Sequence, residues 1–141
     1  MIIALYDTNI FISGTFWRGL PRRATYLAKR GKVEVVTCES LLDELRDVLS
    51  RPDKPFRLSA KEADKVISNV RSYVRLVMPT QKVDVCRDPK DNLVIECALA
   101  GGAQYIVTGD PDLKVLRRFE GIEIVDVQTF VSLVEKRLSG R

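Results

Sequence analysis

The chain predicts an α/β fold with a central, mainly parallel sheet, and three observations carry that reading. Short apolar runs of strand length alternate with longer segments of helical period along the whole sequence. Capping patterns, prolines and glycine pairs separate them at the spacing of short connections. The first and the most buried of the apolar runs each end in an acidic turn, and in open parallel sheets function collects at the carboxyl ends of strands.

Taken in order, Ile2–Tyr6 is an apolar run that predicts a first, central strand, followed by the polar turn Asp7-Thr8-Asn9. Residues 10–20 are mixed, with Gly14 and Gly19 expected as loop points. Pro21 suits the first turn of a helix ending near Gly31, and Lys32–Thr37 reads as a second strand. Ser40-Leu41-Leu42-Asp43 has the form of a capping box. The helix it opens carries Leu41, Leu42, Leu45, Val48 and Leu49 on one face and stops at Arg51-Pro52.

After the loop 53–58, a second capping box, Ser59-Ala60-Lys61-Glu62, starts an amphipathic helix. Its apolar period runs from Ala63 to Val77, with Pro79 as its stop. Lys82–Cys86 is expected as a short edge strand. A helix from Asp91 to Ala100 follows, stopped by Gly101-Gly102, and then a buried strand over Gln104–Thr108. Asp112–Arg118 predicts a short helix, Ile122–Val125 a strand, and Phe130–Leu138 a closing helix. There is no internal repeat or linker, so residues 1–141 read as one domain.

Composition narrows the chemistry. The chain has no histidine, which removes His triads, His general bases and His-rich metal sites. Three cysteines, Cys38, Cys86 and Cys97, have no metal-ligand spacing and read as reduced thiols. The N-terminus lacks a basic region and a cleavage site, and no apolar run reaches membrane-spanning length, so a cytoplasmic protein is expected. The net charge is +4, a mild excess that becomes sharper where acids cluster, because the remaining surface is then more basic.

The acids do cluster. A ten-residue helix rises about 15 Å and a five-residue strand about 17 Å, so Asp91 and Asp110, at the two ends of a helix–strand hairpin, come to one place. Asp7 follows the first strand directly. In the helix after Ser40, Asp43 and Asp47 lie roughly 160° from the apolar centre, whereas Glu44 lies about 100° away, at its border. Asp91 lies on the packed side of its helix, opposite a polar stripe made by Asn92 and Glu96. Four like charges in one pocket need a cation, and an all-oxygen donor set points to Mg2+ or Mn2+.

Each acid alone also has a structural reading, as a turn residue, helix-dipole partner or solvated side chain. Asp88, Asp112 and Glu96 keep that reading, with Asp112 the readiest exception. Asn9 and Thr108 are placed to orient a carboxylate. Arg18, Arg22, Arg23, Arg87 and Lys90 are candidate phosphate contacts. Trp17 is expected to cover the core rather than stack on a base.

The ordered set resembles the PIN domain family of metal-dependent ribonucleases. The matching pieces are Asp7-Thr8-Asn9, Glu44 within Ser40–Leu45, Arg87-Asp88-Pro89-Lys90-Asp91-Asn92, and Thr108-Gly109-Asp110-Pro111-Asp112-Leu113. The resemblance is strongest to members assigned as toxins of toxin–antitoxin pairs. It implies a three-layer α/β/α sandwich with a mostly parallel sheet. It also implies that Asp7, Glu44, Asp91 and Asp110 hold Mg2+ or Mn2+ for endonucleolytic cleavage of single-stranded RNA, with an antitoxin partner and homodimers common. Two alternatives stand beside it. One is a haloacid-dehalogenase-like phosphatase, against which Asn9 counts, since that chemistry wants an acid there. The other is a non-catalytic RNA-binding domain.

Overall fold

The computed structural model describes residues 1–140. Six strands form one sheet in the order β3-β2-β1-β4-β6-β5. In chain order they are β1 (Ile3–Tyr6), β2 (Glu34–Thr37), β3 (Val74–Leu76), β4 (Tyr105–Val107), β5 (Arg118–Phe119) and β6 (Ile122–Val125). All pairings are parallel except that of β5 with β6. Seven helices accompany them: α1 (Thr8–Phe16), α2 (Leu20–Lys29), α3 (Glu39–Leu49), α4 (Ala60–Arg71), α5 (Pro89–Gly101), α6 (Pro111–Lys114) and α7 (Val127–Leu138).

Alternation along the strands divides the interior into two cores. Ala4, Tyr6, Val35, Tyr105 and Val107 face a core shared with α1, α2, α3, α4 and α7. Leu5, Val36 and Ile106 face the other, closed by α5 and Leu113 of α6. This is the expected three-layer α/β/α arrangement, and no described helix is long and apolar enough to cross a membrane.

Several local expectations are corrected. Gly14 lies inside α1, not in a loop: a Cβ there would meet the Thr25 methyl at 2.7 Å, so the glycine lets α2 cross α1 closely. Helix α3 starts one residue before Ser40, because the extended backbone of Cys38 serves as N-cap and its carbonyl accepts from Leu41 and Leu42. The Ser59–Glu62 capping box forms as expected. Helix α4 ends at Arg71 rather than near Val77, since Val74–Leu76 gains parallel pairing with β2. Helix α7 begins at Val127, capped by the Asp126 carboxylate on the Thr129 amide, earlier than the apolar period indicated.

The largest correction concerns residues 82–86 and the polar stripe of α5. Residues 82–86 form no strand. Their amides go to side chains instead: Val85 and Cys86 donate to Asn92 Oδ1 at 3.1 and 3.0 Å, and Val83 donates to Glu96 Oε2 at 2.9 Å. Asn92 and Glu96 are therefore buried beneath this strap, satisfying its backbone, rather than solvated.

Candidate active site

Every acid of the site is delivered by the carboxyl-end edge of the sheet. Asp7 follows β1, Asp110 follows β4 by three residues, Asp91 lies in the first turn of α5, and Glu44 lies in the second turn of α3. All four line one open cavity of about 330 Å³, together with Asn9, Lys90, Arg51 and Lys54. Asp7 heads α1 yet its carboxylate caps nothing. It accepts the Thr108 hydroxyl at 2.7 Å and the Thr8 hydroxyl at 3.3 Å. The Thr108 oxygen in turn accepts the Asp110 amide at 3.0 Å, so this buried threonine ties the ends of β1 and β4 together.

At the cavity's edge Asp91, Asp110 and Asp112 each offer a carboxylate oxygen, all within 4.8 Å of one another. Asp112, expected to be at most a supporting acid, thus stands in one group with Asp91 and Asp110. It is held by its own amide, which donates to Asp110 Oδ1 at 2.9 Å, and by Arg87 at 3.6 Å. Asp110 consequently both caps α6 and faces its neighbours.

The electrostatics agree with the geometry. Asp91 is pushed up to about 6, first by burial and then by Asp110, Asp88, Asp112 and Asp7. Glu44 is exposed on one side, but partial burial raises its pKa, and the Asp7 charge raises it further. The Cys86 thiol is also raised, by burial and by the same carboxylates. Such an excess of negative charge on oxygen-only donors fits a hard divalent cation.

The basic candidates separate by position. Lys90 lines the cavity, and Arg87 reaches it only through Asp112. Arg22 donates to the carbonyls of Gly14 and Thr15, joining α2 to the end of α1. Arg23 pairs with Glu135 of α7. Arg18 is exposed on the α1–α2 connection. Arg51 and Lys54, a helix stop and a loop residue by sequence, also line the cavity. Arg51 lies two residues past the end of α3 and is also paired with Asp47 at 3.1 Å. Trp17, expected to cover the core, is 49% exposed.

The PIN domain family model matches residues 4–112, a span that contains all of these acids. The chain belongs to the PIN domain family. As a PIN domain it is 31% identical over 118 residues to the uncharacterized protein MJ1680 of Methanocaldococcus jannaschii, covering 82% of this chain and 76% of that protein. Two solved structures share the fold. PAE2754 from Pyrobaculum aerophilum aligns with TM-score 0.63 and 15% identity, over 96% of this chain and 90% of its own. A chain of VapBC2 from Rickettsia felis, solved with a DNA fragment from its promoter, aligns with TM-score 0.60 and 16% identity, over 87% and 97%. PIN domains are generally nucleases, and the acidic cluster that such chemistry needs is present in this one.

Proposed function

We propose that this PIN domain is an endoribonuclease that depends on Mg2+ or Mn2+, cuts single-stranded RNA, and serves as the toxin of a toxin–antitoxin pair. The observation that carries the reading is the pairing, in one cavity, of four carboxylates with Arg51, Lys54 and Lys90. Acids alone repel a polyanion, whereas acids faced by cations suit a phosphodiester and its metal together. Asp7, Asp91 and Asp110, with Asp112 beside them and Glu44 across the cavity, are the residues that would hold the cation. A bound Mg2+ or Mn2+ supplies the charge that stabilises a phosphoryl transition state and activates water.

The chain's own groups do the rest. Thr108 and Thr8 fix the Asp7 carboxylate by hydroxyl donation, so its free lone pairs point to the cavity in one orientation. Lys90, Lys54 and Arg51 hold the phosphates on either side of the scissile bond. Glu44, with its raised proton affinity, sits where it can accept and return a proton. The toxin assignment draws support from the VapBC2 fold likeness, and it implies an antitoxin protein as partner, with a homodimer or higher homo-oligomer of this chain.

Purified protein incubated with single-stranded RNA tests the reading. Cleavage is expected with Mn2+ or Mg2+, and loss of cleavage with chelator and in Asp7→Asn or Asp91→Asn. Phosphate release from small esters with RNA left intact would instead mark a phosphatase. RNA bound but uncut under every divalent ion would mark a binding domain. Expression of the chain should arrest growth until an antitoxin is co-expressed, and light scattering measures the oligomer.

A further inference from the structure

Three aromatic rings at the far end of α1 are not used by the site as described. Phe16 and Phe56 stack with centroids 5.0 Å apart and planes 6° from parallel. Trp17 stands edge-on to both, at 5.9 Å from Phe16 and 6.4 Å from Phe56. The Phe16–Phe56 pair has a structural task, holding the loop 51–58 against the main core. Trp17 has none of that kind: it belongs to neither core and is 49% exposed.

This cluster is joined to the acidic cavity by two separate routes. Helix α1 starts at Thr8, in the cavity wall, and ends at Phe16, about 12 Å away along the helix axis. Lys54 also lines the cavity, and Phe56 lies two residues further on, at most about 7 Å along the chain. The connecting loop carries Arg51, Lys54 and Arg57 against Asp53, with Arg51 also paired to Asp47 at 3.1 Å, and Arg18 adjoins Trp17 in the sequence. Cations along a track that ends on an exposed aromatic face are the physical requirements for a single strand of nucleic acid, with phosphates on the charges and a base on the ring.

We propose that Trp17, braced by Phe16 and Phe56, is a base-stacking shelf for single-stranded RNA leaving the acidic cavity. It takes a base a few nucleotides from the phosphate held at the carboxylates, about 12 Å away along α1. The inference rests on the ribonuclease reading of the cavity and adds the direction in which substrate runs. Stacking tolerates any base, so the shelf sets affinity and register rather than cleavage sequence.

Trp17 is the chain's single tryptophan, so its fluorescence reports on the shelf alone. The probe is a short fluorescein-labelled oligouridylate for anisotropy, with the unlabelled strand for fluorescence, in calcium-containing buffer. Quenching of Trp17 is expected to saturate over the same RNA concentrations as the anisotropy. Trp17→Ala should weaken binding about tenfold and raise KM with kcat little changed, while Trp17→Phe recovers most of the affinity. Matching thermal melts confirm that the variants fold. RNA that binds without quenching, and binds Trp17→Ala as tightly as the parent, overturns the shelf and leaves the ribonuclease reading intact. Quenching only by a co-expressed protein partner overturns it too, by assigning the ring to a protein interface. Absence of both RNA binding and cleavage in the parent defeats the ribonuclease reading itself, and the shelf with it.

Discussion

Helix α5 carries two acids five residues apart that meet opposite fates. Glu96 is buried, and its carboxylate accepts the Val83 amide, so it closes the strap 82–86 onto the helix together with Asn92. Asp91 is only half-buried, but its neighbours are Asp110, Asp112, Asp88 and Asp7, and no hydrogen-bond donor or ion pair meets it among the described residues. Depth of burial does not separate the two acids. What surrounds them does: donors make a carboxylate part of the scaffold, and other carboxylates raise its proton affinity and favour a cation beside it.

The comparison breaks most sharply at Asp91. Asp91→Asn keeps the shape and removes the charge, so we expect RNA cleavage to fall about a thousandfold, ~4 kcal/mol. Its melting temperature without metal should hold or rise, because a crowded like charge has gone. A melting temperature that drops instead would place Asp91 with the structural acids.

Asn92→Leu attacks the other side of the helix. It leaves the Val85 and Cys86 amides without their acceptor, at about 1–3 kcal/mol each if they stay dry. A denaturant titration should therefore show a loss of about 3 kcal/mol, and hydrogen exchange should show the strap opening first.

A third expectation concerns pH. Asp91 is protonated below about 6, and a metal must displace that proton. The stabilisation by Mn2+, read as the shift in melting temperature, should be weaker at pH 5 than at pH 7, with about tenfold lower affinity. Without metal the sign reverses. Between about 4 and 6 the folded chain holds a proton that the unfolded chain releases, so this residue's contribution to stability falls as pH rises through that window.

The smallest effect belongs to Glu96→Gln. The amide oxygen still accepts the Val83 amide, so stability should change by less than about 1 kcal/mol and cleavage hardly at all. A large loss of activity in this variant would move Glu96 into the site and undo the contrast.

The positions of the four acids were legible because each is tied to a strong local signal. Asp7 and Asp110 follow buried strands, Asp91 opens an apolar helix behind Pro89, and Glu44 sits at the border of a leucine face. What covers the polar stripe of α5 was not legible, because a polar pair on a helix looks the same whether water or a backbone segment lies over it. Asp112 was underweighted because its place depends on how Asp110 turns the chain at α6.

The sequence by itself determined the α/β class with its mostly parallel sheet, the chemistry that absent histidine rules out, and the edge of the sheet where acids gather. These follow from periodicity, capping and composition, which act over a few residues. Only the tertiary structure decided that Asn92 and Glu96 satisfy a strap, that Gly14 serves a helix crossing, that Arg51 and Lys54 face the acids, and that Trp17 stays in the open. Each of those depends on a partner supplied by another segment of the chain, which local pattern does not record.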